Sequence, residues 1–117
     1  IKALIPEFTY IEKRDFSCCD EQAVMEKLDI LNAKNIIICG IESHVCVLQT
    51  AVDLKAVGYN PVVVTDCVSS RVPQSIELAK ERFRFEGILI TSYESILFEL
   101  TRASAAPEFR AISKLVK

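Results

Sequence analysis

The sequence predicts an α/β fold: one open parallel sheet with helices on both faces, in a Rossmann-like three-layer arrangement. Three observations carry this expectation. Continuous runs rich in β-branched residues recur at NIIIC (35–39), PVVVT (61–65) and GILIT (87–91), and an unbroken apolar run is the mark of a strand buried on both faces of a parallel sheet. Helical patterns fill the intervals between these runs. Strands that alternate with helices fold into a parallel sheet with right-handed crossovers.

In chain order, a weaker run, FTYIEK (8–13), reads as a further strand ahead of the other three. Asp20 is placed to cap a helix over 21–33, where Ala23, Val24, Leu28 and Leu31 fall near one face. After the 35–39 strand, residues 44–57 set Val47, Leu48, Ala51, Leu54 and Val57 on a helical stripe, and Gly58 follows as a stop. After the 61–65 strand, a helix over 73–85 opens on Pro73, which suits a first turn, and ends before Gly87. Ser92 or Ser95 opens a helix over 93–102 bearing Ile96, Leu97 and Leu100, and Pro107 starts a last one over 107–116.

Composition narrows the class. The 117 residues fit a single domain, half of them are hydrophobic, and the formal net charge is −2. That balance is too apolar for disorder and gives no electrostatic basis for nucleic-acid binding. No run of about 18 apolar residues is present to span a membrane, and Lys2, Glu7 and Glu12 break up any signal-like stretch at the start. The five cysteines, Cys18, Cys19, Cys39, Cys46 and Cys67, are odd in number and unevenly spaced, which points to a reducing, cytoplasmic setting rather than a disulfide framework. With His44 as the only histidine, no His-rich metal site is expected.

Cys46 draws the eye. In open α/β sheets, ligands bind beyond the carboxyl ends of the strands, and Gly40 closes the 35–39 strand just ahead of this cysteine. A helix start carries partial positive charge and free N–H groups, which favour a thiolate and receive an oxyanion. Position alone leaves two readings open: a nucleophile, or a small apolar packing residue between Val45 and Val47.

The stretch from Gly40 to Val47, GIESHVCV, with Gln49-Thr50-Ala51 and Gly58-Tyr59, resembles the signature of the isochorismatase-like cysteine hydrolases. That superfamily includes nicotinamidases, N-carbamoylsarcosine amidases and true isochorismatases. The segment from Val64 to Arg71 is similar to the strand and turn that follow in the family, and the end of the chain is most similar to eukaryotic isochorismatase-domain-containing proteins. The resemblance implies that Cys46 is the nucleophile, that the Ile41–Glu42 peptide is cis, and that the Glu42 and Cys46 amides form the oxyanion hole. It makes Lys13, ahead of Arg14-Asp15-Phe16-Ser17, the catalytic lysine. Phe16 is a candidate for the pocket lining, and His44 for the pocket rim or a structural hydrogen bond.

The family's third catalytic residue is an aspartate on an earlier strand. No aspartate precedes Lys13, and the aspartate and histidines that hold a metal in nicotinamidase-type members have no counterparts, so neither metal nor other cofactor is expected. The resemblance thus implies a domain over 1–117 that lacks its N-terminal strand and helix, with an apolar sheet face and a central strand edge left open. The function implied is a cysteine-dependent amidase acting on a small amide or related acyl substrate through a thioester, in a homo-oligomer without nucleic-acid or membrane partners. The rival is a catalytically silent homologue serving as an interaction module. Residues outside the motif read plainly. His44, two positions from Cys46, does not face it on a helix; Asp66 reads as a turn or cap residue, and Arg71 as a surface ion-pair partner.

Overall fold

The structure, a computed structural model, describes residues 3–117; Lys2, one of the charges that interrupt the opening stretch, lies outside them. Three strands form one parallel sheet in the order β1-β2-β3: β1 is Asn35–Ile41, β2 Asn60–Ser69 and β3 Leu89–Thr91. The helices are α1 (Gln22–Leu31), α2 (Leu48–Ala56), α3 (Pro73–Phe85), α4 (Tyr93–Thr101) and α5 (Phe109–Leu115). The α/β class and the open parallel sheet are therefore as expected.

The core lies on one side of the sheet. Val63 and Ile88 meet Val47 and Ala51 of the helical segment after β1 and Ala79 and Phe83 of α3, and all six are buried. On the opposite side, Ile37, Val62 and Leu89 border a depression of about 450 Å³ together with Ile96 and Leu100 of α4. Helices thus stand on both faces, but the second face is covered only in part. Exposure alternates along β1, so the expectation of burial on both faces fails there: Ile37 is 47%, Ile41 72% and, on β3, Leu89 61% exposed. Among the described residues β1 is also an edge strand, since its one ladder is with β2.

Element ends follow local chemistry. Gly58 ends α2 at φ 97°, a left-handed conformation that suits glycine, and its N–H reaches the Lys55 carbonyl at 3.1 Å. Ser92 caps α4 by accepting the Ser95 N–H at 3.2 Å. Two expectations need correction. Glu21, not Asp20, caps α1, because residues Cys18–Asp20 are taken up in a 3₁₀ turn. The run 8–13 is no strand; it is irregular and largely exposed, with no ladder partner beside it among the described residues to satisfy its backbone groups.

Candidate active site

β1 and β2 part company at their carboxyl ends. Ile38 pairs with Val63, yet Gly40 pairs with Val68, so β2 loops outward over the residues between. Gly40 itself takes φ 120°, which an L-residue with a Cβ rarely adopts. The chain then passes through a cis Ile41–Glu42 peptide into one wide turn, Ser43–Val47, that runs straight into α2. This turn is wound as a π-helix: the Glu42 carbonyl accepts the Val47 N–H at 3.2 Å as well as the Val45 N–H at 3.1 Å. Single π turns of this kind are frequent at functional sites. Cys46 sits inside it, half-buried, near the amino end of a continuous helical segment.

Polar side chains tie this turn to its neighbour. The Arg71 guanidinium forks onto Glu42, with Nε donating to Oε1 at 2.6 Å and a terminal nitrogen to Oε2 at 3.4 Å. His44 Nδ1 and Ser70 Oγ are hydrogen-bonded at 2.9 Å, while His44 Nε2 stands 3.9 Å from Glu42 Oε2. The Arg71 hydrogen bond holds the Glu42 carboxyl below the usual carboxylate range; slight desolvation opposes this, and the Arg71 and His44 charges add to it. Between Glu42 and His44, Ser43 turns inward, fully buried, with no hydrogen-bond partner for its hydroxyl among the described residues. A depression of about 240 Å³ lies at this end of the sheet, walled by Ile41, Glu42, Ser69, Ser70 and Arg71.

Other predicted site residues fall elsewhere. The Lys13 ammonium donates to the Asp15 and Phe16 carbonyls at 2.8 and 2.9 Å and lines a separate depression with Glu12, Arg14, Asp15 and Glu21. Cys46 is a wall of neither hollow, and no hydrogen bond or ion pair joins it to Lys13 among the described residues. Phe16 is exposed, while the next residues dock on α2: the Cys18 N–H donates to Thr50 Oγ1 at 3.0 Å, one turn beyond Cys46. His44 engages Ser70 rather than the cysteine. The sequence reading missed Ser70 and the identity of Arg71's partner. The alternation of Glu42, Ser43 and His44, polar residues between apolar runs, was the available signal, but their partners lie 26 and 29 residues on. No three His, Cys, Asp or Glu side chains converge on a metal-sized site among the described residues.

A family model described as the isochorismatase domain matches residues 2–95. The chain belongs to the isochorismatase family. This family member is 50% identical over 84 residues to the secreted isochorismatase effector Isc1 of Phytophthora sojae (strain P6497), a match covering 72% of the chain and 40% of that relative. It superposes on the structure of MAR1 ribonuclease from Caenorhabditis elegans with a TM-score of 0.81 and 36% identity, over 89% of the chain and 53% of that protein. For nicotinamidase PncA from Bacillus subtilis the TM-score is 0.68 at 27% identity, over 72% of the chain and 47% of that protein. The chain spans about half the length of the curated relatives it matches. No helix of the described residues is long and apolar enough to cross a membrane.

Proposed function

We propose that this isochorismatase-family chain carries the nucleophile of a hydrolase that cleaves the C–N bond of a small carboxamide through a thioester at Cys46. The observation that carries the reading is the turn after β1: wound as a π-helix, it holds Cys46 near the start of a helical segment, at the carboxyl end of a parallel sheet. The nicotinamidase among its structural neighbours points to amides as the substrate class.

In this reading the Cys46 thiolate attacks the carbonyl carbon, and the oxyanion is received by the Glu42 and Cys46 amides. The tetrahedral species collapses with loss of the amine, which takes up a proton. Water then cleaves the thioester, returning the thiol and releasing the acid. Lys13 is the proposed cation of the site; its ammonium now spans two carbonyls of the segment that abuts α2, and it would release them to reach the reaction centre. We assign no residue of this sequence to the proton acceptor. With a net charge of −2, the chain has little electrostatic reach for RNA, the substrate class in the name of its nematode neighbour. The unpaired cysteines suit a cytoplasmic, reducing setting.

Acid release from a panel of carboxamides including nicotinamide tests this reading. Turnover is expected to vanish in Cys46→Ala and to persist in Cys39→Ala, with an acyl adduct of Cys46 visible by mass spectrometry on quenching. Hydrolysis that survives Cys46→Ala ends the proposal.

A further inference from the structure

We propose that Arg71 and Ser70 are positioning residues: the turn between β2 and α3 braces the loop 41–47 from outside and fixes the placement of Cys46. The inference rests on the hydrolase reading for its purpose, but its geometry stands apart from it. Glu42 and His44 alternate with Ser43, so two side chains face outward and one inward. Both outward groups are held by consecutive residues of a single turn, Arg71 on Glu42 and Ser70 on His44. The inward group is clamped by packing, since Ser43 and Val47 are both buried.

The Glu42 carbonyl is the acceptor for the amides on either side of Cys46, those of Val45 and Val47. Displacing Glu42 therefore disturbs two of the hydrogen bonds that wind the turn. A guanidinium suits the task because its planar fork meets both carboxylate oxygens, which fixes orientation as well as distance; an ammonium gives one point of attachment. The fork also has a consequence for the substrate. Arg71 spends its charge on Glu42, so it is a brace rather than an anchor for a substrate anion.

The Arg71 side chain is 84% exposed, and exposed ion pairs add little to global stability. A brace of this kind is thus separable from a role in folding. Arg71→Gln, Arg71→Lys and Ser70→Ala are compared with the wild-type chain by two measurements. The first is amide hydrogen exchange over the peptide 42–48. The second is iodoacetamide labelling of Cys46, read by mass spectrometry against Cys39 in the same sample. Arg71→Gln is expected to speed exchange in 42–48 by about tenfold while β2 and α3 stay protected. Its Cys46-to-Cys39 labelling ratio should fall by about tenfold, with the melting temperature within about 3 °C of wild type. Arg71→Lys should recover part of both effects, and Ser70→Ala should show a smaller change in the same peptide. Unchanged exchange over 42–48 in both Arg71→Gln and Ser70→Ala overturns the brace. A wild-type Cys46 that labels no faster than Cys39 instead counts against the hydrolase reading, and the exchange data still judge the brace.

Discussion

Asp66 stands where β2 loops out of its ladder, and its Oδ1 accepts the Tyr93 N–H at 2.8 Å, at the head of α4. The next residue is the exposed Cys67. Partial desolvation, then the charge of Asp66, the nearby Cys39 thiol and a hydrogen bond with Asp66 push the Cys67 thiol up. Of these causes, the carboxylate is the one a substitution removes cleanly. A raised thiol holds less thiolate at any given pH, so Cys67 should label later on the pH scale than an ordinary cysteine. Asp66→Asn keeps the oxygen that caps α4 but deletes the charge. We expect its Cys67 to react with iodoacetamide severalfold faster around pH 8; an unchanged rate–pH profile would show that Asp66 is not the cause. From the sequence Asp66 reads as a cap or turn residue at its own strand end; the helix it meets begins 27 residues further along, beyond the reach of a local signal. The Cys67–Cys39 relation is invisible in the sequence, because the bulge in β2 sets which residues of the two strands meet.

At the scale of elements, legibility tracks how local the cause is. The helix expected over 73–85 is found as Pro73–Phe85, because proline starts it and glycine follows it within the same stretch of chain. The helix expected over 44–57 divides into a π turn and α2, a distinction that hydrophobic spacing does not register. The run 8–13 has the composition of a strand, but strands need a neighbour, and composition does not say whether one is present. The unbroken apolar run of β1 predicts burial on both faces; the structure half-buries one face and leaves the other exposed, and the run is continuous all the same. In α3, Phe83 is completely buried against Val63, Ala51 and Ile88 and so joins three elements. Phe83→Ala should cost about 3–5 kcal/mol, a large share of the roughly 5–15 kcal/mol that holds a domain together. Urea unfolding checks this: a loss under about 1 kcal/mol would mean the helix can shift to close the cavity.

For the molecule as a whole, the sheet's second face sets its behaviour in solution. Ile37 on β1 and Leu89 on β3 line the partly covered depression under α4, Ile41 lies open at the far end of β1, and β1 adds a free backbone edge among the described residues. The expectation of an open apolar face and edge came from the resemblance, not from the composition. A hydrophobicity of 50% is ordinary and does not reveal on which side of a sheet the apolar residues end up. Contiguous apolar surface next to an unpaired strand is a template for association. The isolated 117-residue chain should therefore self-associate with rising concentration in sedimentation velocity and brighten an apolar dye. Ile41→Asp puts a charge on the most exposed of these side chains, at the end of the edge strand and outside the buried core. It should push the association to higher concentration and dim the dye while leaving the unfolding midpoint nearly unchanged, because Ile41 contributes little buried area. A wild-type chain that stays monomeric and dark across the concentration range would mean that this face is covered by the chain's own residues in solution, and the second layer of the fold would have to be redrawn around β1.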